Sequence, residues 1–242
     1  MKRLAVIPAR GGSKRLPNKN KLLLGGIPLI EHTINAVVSS GCFEKILFSS
    51  DDDQLLQIAS QNSKLSTEKR NADLASDKIK VVDLVKQIAN RPNFDDYDQI
   101  GLFLPTCPFR NGTHIKEGIE LLDQEDFSVV SICEMNDPLQ LSLTINSETK
   151  VIDPESVLSP SPLVSGETRS QDFSKFYRVN GGFYISWLNK FRQKQNFFQG
   201  KVKGYLMKTL ESVDIDHDYD LDYANMLIEK KYISINKNLR KI

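Results

Sequence analysis

Between Leu4 and Ile132 the chain alternates short apolar runs with segments whose apolar residues recur at helical spacing. The runs are residues 4–7, 46–48, 100–104 and 129–132. The helical faces carry Ile30, Ile34, Val37 and Val38; then Leu55, Leu56 and Ala59; then Val81, Val82, Val85 and Ile88; then Ile115, Ile119 and Leu122. A run with no polar alternation suits a strand buried on both faces. Strands and helices that alternate through short connections predict an α/β fold, a mainly parallel sheet between helices. Such sheets bind ligands outside the carboxyl ends of their strands. Three segments leave predicted strands there: 8–20, 49–53 and 105–110, the last with Thr106 and Arg110 exposed. They should converge.

The first of these, IPARGGSKRLPNKN, is rich in cations. Arg10, Lys14, Arg15, Lys19 and Lys21 crowd it, and no acid lies between Ala9 and Gly26. Gly11 and Gly12 are expected to free the backbone for a sharp turn. Backbone N–H groups and unpaired cations at a strand end suit a polyphosphate. The spacing is not that of the Walker loop, and the dinucleotide fingerprint is absent.

The chain of 242 residues is long enough for one large domain or two small ones. Its net charge of +1 argues against a nucleic-acid partner or a membrane surface, so attraction for anions must be local. Cys42, Cys107 and Cys133 form no metal-type spacing and read as buried free thiols of a cytoplasmic protein. No apolar stretch approaches the ~18 residues of a membrane span.

Elsewhere the signals are plainer. Asp51 or Asp52 can cap the helix that follows. The stretch TEKRNADLASDKIK, with Arg70 in it, reads as a polar connection. His32 reads as a surface or packed residue. The alternation breaks at Asp137, and residues 137–175, with two short strands about Asn146 and Ser147, read as an arm inserted into a domain of residues 1–136 and 176–242. Order returns at FYRVNGGFYISW, where Gly181 and Gly182 permit close backbone approach, and another strand covers 202–207. In SVDIDHDYDLDY alternate residues share a face if the segment is extended, so Asp214 and Asp216 can reach one cation, and their hard oxygens suit Mg²⁺. The later aspartates cap the last helix, which buries Ala224, Leu227 and Ile228.

Taken together, IPARGGSKRLPNKN, LASD, LPTCPFR, YRVNGGFY and VDID resemble, in order and spacing, the acylneuraminate cytidylyltransferases, or CMP-sialic acid synthetases. The resemblance runs from about Leu4 to Leu227. It implies a Rossmann-like nucleotide-diphospho-sugar transferase fold. It implies synthesis of a CMP-sugar and pyrophosphate from CTP and a nonulosonic acid (sialic acid or a relative such as legionaminic or pseudaminic acid), with Mg²⁺. Attack by the sugar C2 hydroxyl on the α-phosphate is the implied chemistry. Arg10, Ser13, Lys14, Lys19, Asn20 and Arg70 match nucleotide positions, with Arg10 and Lys14 on the β- and γ-phosphates and Lys19 at the α-phosphorus. Arg169, Arg178, Asn180 and Tyr184 match sugar-side positions, and Asp214 and Asp216 match metal ligands. The family is typically dimeric through an arm like 137–175.

The chain departs from the family in two places. Leu104 stands where sialic acid enzymes often have Gln, and Lys78, Ile79, Lys80 and Val81 stand where small hydroxyl residues are usual. A CMP-KDO-type or other sugar nucleotidyltransferase, and a non-catalytic nucleotide-binding protein, are the alternatives.

Overall fold

The computed structural model describes residues 1–70 and 79–235; LASD and Lys78 lie outside them. The strands are β1 (Arg3–Pro8), β2 (Leu23–Leu24), β3 (Ile27–Pro28), β4 (Lys45–Ser50), β5 (Leu65–Lys69), β6 (Gln99–Leu102), β7 (Ser128–Glu134), β8 (Thr144–Ile145), β9 (Ile152–Asp153), β10 (Tyr177–Trp187) and β11 (Val202–Leu206). The α-helices are α1 (Leu29–Ser40), α2 (Asp53–Ser60), α3 (Val81–Ala89), α4 (Gly112–Glu120), α5 (Pro162–Ser165), α6 (Leu188–Lys194) and α7 (Asp218–Glu229). Seven strands form one sheet in the order β11-β7-β10-β6-β1-β4-β5. Strands β6, β1, β4 and β5 run parallel, as do β7 and β11, while β10 is antiparallel to β6.

The central strands are buried throughout: Leu4, Ala5, Val6 and Ile7 have no exposed surface. Their alternate side chains feed two cores. Ala5 and Ile7 join Ile30, Ile34 and Phe48 on one face; Leu4 and Val6 join Leu84, Val85 and Ile88 on the other. Burying each such side chain contributes roughly 1.5–3 kcal/mol. That double layer is what the unbroken apolar runs require. A third cluster, with Leu24, Leu29, Ile215 and Leu227, brings the last helix under the hairpin β2–β3.

The strand β5 corrects the reading of TEKRNADLASDKIK as connection only. It is the sheet's edge, its residues are half-buried or exposed, and Glu68 pairs with Arg91 while Lys69 pairs with Asp53. An edge strand stabilised by charges has no apolar alternation to read. Val81 is a second correction. It is 43% exposed, and α3 buries Leu84, Val85, Ile88 and Ala89 instead. Cys107 and Cys133 are buried free thiols, but Cys42 is only half-buried.

Contacts divide the chain into two compact units, Met1–Ile132 with Val179–Ile242, and Cys133–Arg178. The second contains the antiparallel hairpin β8–β9, whose turn is organised by Asn146: its side chain accepts from the N–H groups of Glu148 and Thr149. Ser161 caps α5, with Pro162 at its first position. Ile145, Val151, Ile152 and Val164 stand more than half exposed on this unit.

Candidate active site

The three predicted segments meet at the carboxyl edge of the larger unit. Segments 8–20 and 105–110 line a cleft of about 570 Å³; segment 49–53 is not in that lining and instead supports the first loop from behind, through Asp51 and Asp52. One side is cationic and polar: Arg10, Ser13, Lys14, Arg15, Lys19, Asn20 and Arg70. The other is mostly apolar: Ile79, Val81, Leu84, Leu104 and Pro105, with Thr106 and Lys80 among them. Asp216 completes it from the far end of the sequence.

The first loop is built differently from expectation. Neither Gly11 nor Gly12 has a positive φ; the left-handed residue is Asn18, at φ 56°. Gly11 is needed for close approach, since a Cβ there would meet Asp52 at 2.9 Å. Its N–H donates to Asp51 Oδ1 at 2.9 Å. Asn20 Nδ2 donates to the Arg10 carbonyl at 2.9 Å, closing the loop on itself. The loop's cations are not left unpaired either. Lys19 Nζ lies 2.7 Å from Asp216 Oδ1, Arg15 pairs with the other oxygen of that carboxylate, and Lys21 lies 2.8 Å from Asp52. The acids missing from the loop's own sequence arrive from β4's end and from the segment before α7.

These pairs shift the carboxylates. Burial pushes the Asp216 carboxyl up, but Lys19 and Arg15 more than offset it and hold the group below the usual carboxylate range. Asp52 is likewise held low against burial by Lys21 and by the Leu55 and Gln54 amides it caps. Arg70 lies partly buried beside Ser49, donating to its carbonyl at 2.9 Å; burial lowers its pKa.

The segment bearing Asp214 and Asp216 has no regular secondary structure; it runs between the extended residues Val213 and His217, with Ile215 fully buried between the two aspartates. The Ile215 N–H donates to the Thr106 carbonyl at 2.8 Å, which fixes the segment to the loop after β6. Asp220 accepts from the N–H groups of Asp216 and His217, anchoring the turn into α7. Asp216 enters the cleft lining, whereas Asp214, exposed, acts on Tyr184. Burial first, then Asp214, pushes the Tyr184 hydroxyl up to about 12. Asp216, beside the cationic loop, has hard oxygens that suit a Mg²⁺ completed by phosphate oxygens and water, whereas Asp214 lies outside the cleft lining. Among the described residues no group of three or more His, Cys, Asp or Glu is placed to hold a metal by itself.

The sugar-side residues separate. Asn180 is 1% exposed. Its Nδ2 donates to Ser212 Oγ at 2.8 Å, and its Oδ1 accepts from Ser131 Oγ and from the Gly182 N–H. Its side chain therefore shapes the backbone at Gly181 and Gly182. A Cβ at Gly182 would lie 2.8 Å from Ser131 Oγ, so Gly is required there. Tyr184 packs against Phe197 and Phe198. Arg169 and Arg178 belong to the smaller unit, both exposed.

Arg110 overturns its expected exposure. It is 2% exposed and donates to the carbonyls of Leu104 and Gly182 and to the Thr33 hydroxyl. Residues that sequence reasoning did not assign to the site include Arg15 and Asp51. The cation count of the loop pointed to Arg15, but its partner is visible only once the chain is folded.

A mainly parallel α/β sheet that brings a cationic loop and a carboxylate to one strand edge defines a nucleotide-handling enzyme fold. Solved structures agree on the architecture. CMP:2-keto-3-deoxy-manno-octonic acid synthetase complexed with CTP matches with a TM-score of 0.68 over 96% of this chain and 100% of that one, at 14% identity. The 4-diphosphocytidyl-2C-methyl-D-erythritol synthase of Anaerococcus prevotii gives 0.63 over 94% and 98%, at 12% identity. The likeness is one of fold: a Rossmann-like, mostly parallel central sheet with helices.

The sequence model of the family described as cytidylyltransferase matches residues 4–241. A CMP-N,N'-diacetyllegionaminic acid synthase of Legionella pneumophila is 33% identical over 232 residues, 95% of this chain and 97% of that protein. An N-acylneuraminate cytidylyltransferase of Streptococcus agalactiae is 33% identical over 220 residues; the match covers 89% of this chain and 51% of that protein, about half its length. A pseudaminic acid cytidylyltransferase of Campylobacter jejuni is 28% identical over 240 residues, 97% of this chain and 99% of that protein. The chain belongs to the cytidylyltransferase family and is a nucleotidyltransferase of the acylneuraminate cytidylyltransferase type.

Proposed function

We propose that the protein couples CTP to a nonulosonic acid, giving the CMP-sugar and pyrophosphate. The observation that carries this reading is the cleft: a cationic loop and Asp216, brought together at the carboxyl edge of the sheet, in a chain of this family. In the proposed reaction the sugar C2 hydroxyl attacks the α-phosphorus in line, an O–P bond forms, and the bond to the bridging oxygen of pyrophosphate breaks. Such transfers depend on positioning and on charge stabilisation. Arg10 and Lys14 hold the β- and γ-phosphates, and Ser13 adds a hydroxyl donor. Lys19 stabilises charge at the α-phosphate. Asn20 keeps the loop in shape through the Arg10 carbonyl, and Arg70 flanks the nucleoside. Tyr184 serves the acidic sugar, with Asn180 shaping the backbone beside it; Arg169 and Arg178, matched to sugar positions by the resemblance, are carried by the smaller unit. Asp214 and Asp216 are the residues that would hold Mg²⁺, which when bound supplies Lewis-acid stabilisation of phosphate charge.

The Leu104 side chain in the cleft lining offers no hydrogen bond, and burying an unpaired hydroxyl against it costs about 1–3 kcal/mol. This supports a more deoxygenated acid, legionaminic or pseudaminic, over sialic acid. The exposed apolar residues of the smaller unit support a homodimer formed through it.

The test is pyrophosphate release from CTP with Mg²⁺, against sialic, legionaminic and pseudaminic acids and KDO, with Asp216→Ala as control. Turnover with a nine-carbon acid, lost in the variant, is the expected result. Turnover with KDO alone moves the protein to the CMP-KDO type, and CTP binding with no turnover on any acid supports a non-catalytic binder.

A further inference from the structure

Arg110 holds a buried positive charge that the catalytic scheme leaves unused. Its partners are neutral: the Leu104 carbonyl at 2.9 Å, the Gly182 carbonyl at 2.5 Å, and the Thr33 hydroxyl. Among the described residues its Nε–H has no hydrogen-bond partner. Burial lowers its pKa to about 10, opposed by Cys107 and, among the described residues, by no carboxylate. A buried cation without a counter-charge is costly, by several kcal/mol. Its place in the sheet gives a reason for keeping it.

The β6–β10 ladder pairs Leu102 with Tyr184 as its last register position towards the cleft. Continued by two residues, the same register would set Leu104 opposite Gly182. There the guanidinium stands instead, one of its nitrogens bonded to both carbonyls. Two strands that would otherwise part with carbonyls facing each other are joined by one cation. On one side of the split, Leu104, Pro105 and Thr106 become a cleft wall. The Thr106 carbonyl then accepts from Ile215, whose neighbour is Asp216. On the other side lie Gly181, Gly182 and Asn180.

We propose that Arg110 is a positioning residue: it clamps the split between β6 and β10 and, through Leu104 and Thr106, sets the place of the segment carrying Asp216. Its catalytic consequence rests on the cytidylyltransferase reading above; its structural consequence does not. Lysine keeps the charge but lacks the planar fork that serves three acceptors at once.

The experiment is hydrogen exchange on the full chain without substrate, read at the peptide containing Ile215 and at the core of β1, combined with pyrophosphate release. In Arg110→Lys, exchange at Ile215 should quicken roughly tenfold or more, as expected for losing hydrogen bonds to a charged group, with β1 unchanged. Where the wild type turns over, kcat should fall on the order of a hundredfold, the effect of an ångström-scale misplacement. Thr33→Val, which removes one acceptor of the clamp, should shift Ile215 exchange the same way by a few-fold. Unchanged exchange at Ile215 in a folded Arg110→Lys overturns the proposal, as does quickening spread equally through β1. If Arg110→Lys does not fold, Thr33→Val decides: faster exchange confined to Ile215 supports the clamp, and unchanged exchange overturns it. A wild type inactive with every acid removes the functional reading and leaves the exchange result standing.

Discussion

The rim of the cleft and the split beneath it handle positive charge in opposite ways. At the rim, Arg15, Lys19 and Lys21 face carboxylates; Arg15 is open to solvent, whereas Lys19 is buried up to its carboxylate partner. Below, Arg110 is enclosed and meets only neutral oxygens. The pair made by exposed Arg15 can exchange its partner for water or an incoming anion at modest cost, and every one of these rim cations at least has a carboxylate to neutralise it. The enclosed charge has no such substitutes, so it serves geometry. The difference teaches that cations near one site need not share a job: an exposed one with a carboxylate partner can release it to a ligand, and the one with carbonyl partners holds the frame.

The largest expected effect tests the exchangeable side. Asp216→Ala should cut pyrophosphate release at least ~100-fold, the scale of losing a transition-state electrostatic contact. It should leave CTP binding intact or tighter, because Lys19 and Arg15 lose their internal partner; calorimetric titration without metal reads this. Weaker CTP binding would break the distinction drawn here.

Next comes the loop's seat. Gly11→Ala places a Cβ against Asp52 and should cost about 1–3 kcal/mol of stability, the range for an overpacked contact. Urea unfolding measures it. Asp52→Ala removes the cap of α2 and the partner of Lys21, for a loss of roughly 1 kcal/mol. A loss far above that would mean the rim pairs are as structural as the clamp.

The smallest effect concerns His32, buried against the Leu24 carbonyl at 3.0 Å. Burial lowers its pKa from 6.5, opposed by the Leu24 and Ile27 carbonyls and assisted slightly by Arg110. The unfolded imidazole gains a proton near pH 6.5 that the folded one resists. Its stabilising contribution is therefore complete above that pH and is lost as pH falls below it. His32→Gln should flatten the fall of melting temperature between about pH 7.5 and 5.5. An unchanged slope would assign the acid sensitivity to His114, whose pKa burial also lowers.

Much of this was legible in the sequence, for definite reasons. Strands buried on both faces read as unbroken apolar runs, and β1, β4, β6 and β7 all fall where those runs lie. The convergence of loops on one edge followed from parallel topology. The strand β5 was hidden because charge pairs stabilise it. The burial of Arg110 was hidden because its partners are two carbonyls and a hydroxyl, groups that leave no trace in composition. The pairing of Lys19 with Asp216 joins positions 197 residues apart, beyond any local period.

The strand order also has a consequence for how the molecule is made. In the sheet, β7 sits between β10 and β11, both later in the chain. A ribosome that has released β1 to β7 has produced a sheet of four neighbours and one orphan strand, with a gap where β10 will insert. The same insertion delivers the Gly182 carbonyl to Arg110, and the segment with Asp216 comes later still. The nascent protein thus carries its cationic loop long before the cleft is complete, and the edge with Asp216 closes only after β10 and β11 have been made.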